Sequence, residues 1–185
     1  MPKYSFVSLP KSTVEDFENG RIDRKELLEK FDSAKNMDSG ELFEVIKCTL
    51  ETFASENPAV AFICEERHIL VDSDGEALLL ETHKPADDDD YEICEPVGYK
   101  TTEELQIAVE FLQSFEYNDF KNTFSIRNVM QETSFALYDT QSVIDKQDYI
   151  CDSAFRELQK LGNFYRQSLA EQNYVVMTMI LDEID

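Results

Sequence analysis

The chain has 2 histidines in 185 residues, and it contains no Gly-x-Ser-x-Gly elbow and no glycine-rich loop of the phosphate-cradling kind. Ser-His-Asp or Cys-His catalysis is therefore left without a sequence signature. The 4 cysteines, Cys48, Cys64, Cys94 and Cys151, stand far apart and form no Cys-x-x-Cys pair. Thiols spaced in this way read as small core residues in a reducing compartment. No apolar stretch approaches the roughly 20 residues that span a bilayer. Residues 1–10 carry no apolar run of the leader type, so the expected location is the cytoplasm. Basic residues are scarcest of all relative to need, with 17 Lys and Arg against 39 Asp and Glu, a net charge of −22 and a pI near 4.3. Such a field repels nucleic-acid phosphates and anionic lipid heads, which excludes direct nucleic-acid binding and membrane-surface binding from the expected functions. It attracts basic proteins, and it also keeps a protein soluble.

What is present is a core. Apolar residues make up 42% of the chain, with 13 Phe and 8 Tyr. A chain of this length forms one domain that buries roughly 70% of its extended surface without needing metal or disulfides. The organising stretch is the C-terminal unit, where an amphipathic helix over residues 145–171 runs into Asn173-Tyr-Val-Val-Met-Thr-Met-Ile-Leu181. Both faces of that final run are apolar, which places it as a strand in the middle of a sheet, covered on each side.

Ahead of it, residues 4–8 read as a short strand or an extended lead-in, closed by Pro10. Ser12 and Glu15 are spaced for a capping box that opens a helix stopping at Gly20, and residues 22–31 form a second helix with Leu27, Leu28 and Phe31 on one face. Residues 36–40 read as a loop, and Leu42, Phe43, Ile46, Leu50 and Phe53 recur at helical spacing up to Asn57-Pro58. Residues 59–64 read as a strand. Two apolar runs, 68–71 and 77–80, flank Asp72-Ser-Asp-Gly-Glu76 and signal a hairpin. Thr101 and Glu104 form a second capping box ahead of Leu105, Ala108, Leu112 and Phe115. Two short helices are expected between residues 117 and 140. The last helix carries Tyr149, Ile150, Phe155, Leu158, Leu161, Tyr165 and Leu169 inward. The fold class is thus α+β in a single domain, with a small mixed or antiparallel sheet, a hairpin, a central C-terminal strand and several covering helices.

Pro96-Val-Gly-Tyr-Lys-Thr-Thr-Glu-Glu-Leu105 resembles the helix entry of the YfbM-like family of small bacterial proteins. Leu158-Gln-Lys-Leu-Gly-Asn-Phe-Tyr-Arg166 followed by Tyr174-Val-Val-Met-Thr-Met179 is similar to that family's closing helix and terminal strand. Asp119-Phe-Lys-Asn-Thr-Phe124 and Phe135-Ala-Leu-Tyr138 fall where the family has a short helix and a tyrosine-bearing link. The chain departs from the pattern in lacking tryptophan and in following Tyr138 with Asp139. The resemblance covers about residues 96–181. It implies an α+β fold and carries over no catalytic residue.

Metal chemistry finds little footing. Asp72, Asp74, Gly75 and Glu81 can be laid over positions of a calcium loop, but the first position is then Leu70 and the flanks read as strands. Cys64 and His68, with His83 and Cys94, lack the two close ligand pairs of a zinc site. No metal and no cofactor is expected. The feature with functional potential is the acidic hairpin and loop of about residues 68–95. There Asp72, Asp74, Glu76, Glu81, Asp87, Asp88, Asp89, Asp90, Glu92 and Glu95 face Lys84 alone, a local charge near −9. Asp72, Asp74, Glu76, Asp87, Asp88, Asp89, Asp90 and Glu92 are the expected steering groups for a basic protein partner, with Tyr91 as an anchor. The expected function is a non-enzymatic acidic binding protein, most concretely an immunity-type or inhibitor protein. The alternatives are a small enzyme, which needs polar groups such as His68, Glu65 and Tyr138 converging in a cleft, and a DNA mimic, which needs carboxylates spaced along an elongated surface.

Overall fold

The chain opens on a strand, β1 (Pro2–Pro10), and ends on another, β7 (Asn173–Leu181), and the two pair antiparallel from Pro2 against Leu181 to Pro10 against Asn173. The computed structural model describes residues 2–65, 67–81, 94–133 and 140–181. With β2 (Lys35–Ser39), β3 (His68–Ile69) and β6 (Gly98–Lys100), these strands make a five-stranded antiparallel sheet in the order β2-β1-β7-β6-β3. β7 is its middle strand. Tyr174 and Val176 turn to one face, Val175 and Met177 to the other, and all four are buried. A second, two-stranded sheet pairs β4 (Leu79–Glu81) with β5 (Cys94–Pro96).

Period-two alternation in β1 and β7 divides the core into two layers. On one face Phe6, Val175 and Met177 pack with residues of α3 (Leu42–Ala54), α4 (Pro58–Cys64), α5 (Thr102–Ser114) and α9 (Gln147–Ala170). The short helices α6 (Tyr117–Thr123), α7 (Ile126–Glu132) and α8 (Thr140–Asp145) add Phe120, Ile126, Val129 and Val143 to the same cluster. On the other face Val7, Leu9, Tyr174 and Val176 meet Val14 and Phe17 of α1 (Lys11–Glu18), Leu27 and Phe31 of α2 (Arg24–Ser33), and Leu70 and Leu78 of the hairpin. The fold is α+β, as the sequence implies.

Several local expectations are corrected. Residues 59–64 form helix, not strand. Asn57 accepts from the amide of Ala59, Pro58 occupies the first turn, and Ala59, Val60, Ile63 and Cys64 are buried at helical spacing. A proline whose missing N–H costs nothing in a first turn starts this helix. Residues 36–40, expected as a loop, belong largely to β2, whose polar sequence is extended only because β1 offers it a ladder, from Tyr4 against Ser39 to Ser8 against Lys35. The Ser12 capping box does not form. β1 stays paired up to Pro10, so α1 begins at Lys11 with no side-chain cap, and Glu15 instead meets Lys11 at 3.5 Å. The box sits one helix later, between Asp23 and Glu26. Tyr149, placed on the inner stripe of α9, is 69% exposed.

The end of α4 is capped from two directions. Tyr165, fully buried, donates to the carbonyl of Ile63 at 3.3 Å, and Lys100, also fully buried, donates to that of Glu65 at 2.5 Å. Both contacts answer carbonyls that the helix itself leaves without partners. Between them lies Cys64, whose thiol burial pushes up to about 12.

Candidate functional site

The hairpin forms as the Asp-Gly step requires. Gly75 takes φ +82°, a left-handed conformation that glycine adopts at little cost, and its amide donates to the carbonyl of Asp72 at 3.0 Å. The Asp72 carboxylate accepts from the amides of Asp74 and Glu76, each at 2.9 Å. Behind the turn, Leu70 donates to Val97, Val97 to Leu78 and Leu78 to Leu70, each at 2.8 Å, a closed ring of three backbone hydrogen bonds among buried residues. The two arms therefore do not run on as one ribbon: β3 pairs with β6 and β4 with β5.

The turn rests on the loop between α1 and α2. Gly20 has φ +67°, and a Cβ there would lie 2.8 Å from Ser73 Oγ. Beside this contact is a cleft of about 550 Å³ floored by Phe17, Ile22 and Leu78, with Arg21, Arg24, Asp72 and Glu76 on its sides. Its two arginines are already engaged, Arg21 with Asp16 at 2.8 Å and Arg24 with the carbonyl of Leu79 at 2.7 Å.

The expected partner-binding residues thus divide. Asp72 is half-buried and serves the turn, whereas Asp74 and Glu76 are exposed and have no ion pair among the described residues. Asp87, Asp88, Asp89, Asp90, Tyr91 and Glu92 lie outside the described residues. Of the polar trio named for a catalytic cleft, two members fall among the described residues, and each makes its own contact. Glu65 is exposed and lends its backbone carbonyl to Lys100, His68 turns to Glu104, and Tyr138 lies outside the described residues. Among the described residues, no three His, Cys, Asp or Glu side chains are grouped to hold a metal ion.

Sequence reasoning missed a second cluster on the same face of the sheet. His68 lies opposite Tyr99 across β3 and β6, and Tyr99 lies opposite Val176, which brings Tyr174 alongside. The three rings stack, His68 on Tyr99 at 5.2 Å and 25°, Tyr99 on Tyr174 at 5.5 Å and 10°. The Lys11 ammonium stands 5.8 Å above the Tyr174 ring, and Tyr174 together with Glu15 raises its pKa. Tyr99 donates to Glu18 at 3.1 Å, and burial followed by that carboxylate pushes the phenol far above its ordinary range. His68 Nε2 lies 3.2 Å from Glu104 Oε1, while Glu104 Oε2 accepts from the amide of Thr101 in the capping box. Beside it, hydrogen bonding to its own backbone amide at the start of α5 holds the Glu103 carboxyl below the usual range. The signal for this cluster was the alternation in Tyr174 and Val176, but the partner of Tyr174 depends on register, which one strand alone does not reveal.

A family model described as Domain of unknown function (DUF1877) matches residues 3–178. The crystal structure of YfbM from Escherichia coli, a protein of unknown function, is similar with a TM-score of 0.63 and 16% identity, covering 97% of this chain and 100% of that one. No curated protein matches the chain. The likeness first visible in residues 96–181 therefore extends to the N-terminal strand. No helix among the described residues is long and apolar enough to cross a membrane.

Proposed function

The chain belongs to the DUF1877 family, and because that membership carries a fold and no chemistry, we propose a function from the charges: a non-enzymatic binding protein whose acidic face captures a basic protein partner. The observation that supports this is the pair of exposed carboxylates, Asp74 and Glu76, on a turn whose hydrogen bonds Asp72 supplies. Their placement costs the turn nothing, and a rigid support limits the entropy lost when a partner docks. Even if all 17 basic residues paired one to one with acids, 22 of the 39 carboxylates would remain without an internal cation. The surplus steers basic surfaces during diffusional encounter. In sequence the acidic stretch continues through Asp87, Asp88, Asp89, Asp90 and Glu92, with Tyr91 as a candidate anchor. The most concrete form is an immunity-type or inhibitor protein that masks the nucleic-acid-binding or nucleotide-binding site of a toxin, because such sites are basic.

The test is affinity capture from the native host at low salt, with mass spectrometry of what elutes as salt rises. A basic protein should elute in the salt gradient, and its association should slow when Asp87, Asp88, Asp89 and Asp90 are replaced by asparagine. Tight binding indifferent to both treatments would overturn the electrostatic reading.

A further inference from the structure

The stack of His68, Tyr99 and Tyr174 has two different ends. At one, the chain's own cation, Lys11, stands over Tyr174. At the other, His68 sits on β3, the edge strand of the sheet, with its side chain 44% exposed and one ring face turned away from Tyr99. Its neighbour Arg67 does not cover that face, since the guanidinium lies over Phe62 at 5.6 Å. Glu104, 12% exposed, stands at the edge of the imidazole.

An aromatic face with a carboxylate beside it suits a planar cation. A guanidinium can lie parallel to the ring while its N–H groups reach the carboxylate, whereas an ammonium has no plane to stack and carries its hydration more tightly. A phosphate-bearing base would meet the same ring but also the field of a chain with net charge −22. We propose that the outer face of His68, backed by Tyr99 and Tyr174 and flanked by Glu104, seats an arginine side chain of the basic partner. This rests on the reading of the chain as an acidic binding protein, and it adds the chemistry of one contact: arginine in preference to lysine, at the β3 edge.

The test is calorimetric titration of the full chain at low salt with a short alternating glycine–arginine peptide and with its glycine–lysine counterpart. A cation stacked on an exposed Trp, Tyr or Phe ring is worth about 0.5–1 kcal/mol, which sets the upper bound for an imidazole face, so the arginine peptide should bind up to roughly 5-fold more tightly. His68→Ala should erase that preference while both peptides still bind, and His68→Phe, which keeps the ring face, should retain it. An equal preference in the wild type and His68→Ala, or none in the wild type, would overturn the seat and leave the acidic reading standing. Failure of both peptides to bind at low salt would overturn the acidic reading and the seat with it.

Discussion

Lys100 Nζ donates to the backbone carbonyl of Glu65 at 2.5 Å from a side chain with no exposed surface. The contact ties β6 to the end of α4, and Tyr165 ties α9 to the same turn through Ile63. Lys100→Met keeps most of the buried stem but removes the charged donor to the Glu65 carbonyl, at a cost of about 1.5–3 kcal/mol. Tyr165→Phe should cost about 1 kcal/mol. Because both contacts hold one helix end, the double substitution should depart from the sum of the singles. Urea unfolding measures all three; strict additivity with an unchanged Lys100→Met midpoint would mean that the ammonium does not support the α4 terminus.

Gly20 is required twice over, by its φ of +67° and by Ser73 Oγ, which would lie 2.8 Å from a Cβ. Gly20→Ala should therefore destabilise by about 1–2 kcal/mol, since an L-residue in the left-handed region costs on the order of 1 kcal/mol before any clash. Adding Ser73→Gly should recover only the steric part. Thermal unfolding of the two variants separates the terms, and full recovery by Ser73→Gly would show that the backbone conformation contributes nothing.

Where local chemistry decided the outcome, the sequence was legible. The Thr101 box, the turn at Asp72 to Glu76 and the two-faced strand around Val176 each follow from a few adjacent residues. Where a distant partner decided it, the sequence was silent. β2 is extended only against β1, and Ser12 lost its cap only because Pro10 is still paired with Asn173. The strand expected at residues 59–64 fails for a different reason: Asn57-Pro58 not only follows α3 but also caps and begins α4, so one stop signal is at the same time a start signal. At the candidate site the acidic turn was legible, while the stack of His68, Tyr99 and Tyr174 was not, since it exists only once three strands are in register.

Alkaline pH should unfold the protein. Burial raises the Cys64 thiol to about 12 from 9.0, raises Tyr165 well above 10.0, and with Glu18 raises the half-buried Tyr99. A raised pKa means that the unfolded chain loses these protons first. The stability they contribute is thus complete below the unfolded values and falls as pH climbs past about 9–10 toward the folded ones. Phenolate absorbance followed with circular dichroism should show Tyr165 ionising only together with loss of structure. If all 8 tyrosines ionise in one step while the fold persists, burial is not holding that phenol neutral.

The hairpin carboxylates should separate stability from binding. Asp72 accepts two amides of its own turn, so Asp72→Ala leaves two donors without their acceptor and should lower stability by about 1 kcal/mol. Asp74 and Glu76 are exposed and support no part of the turn with their side chains. Asp74→Asn with Glu76→Gln should leave the unfolding midpoint within about 0.5 kcal/mol of the wild type. The same pair should slow association with a basic partner and flatten its dependence on salt, because long-range steering follows the charge that was removed. Stopped-flow association at two ionic strengths provides the comparison. If the double variant associates at the wild-type rate at low salt, the turn is only a turn, and the acidic face must do its work elsewhere on the chain.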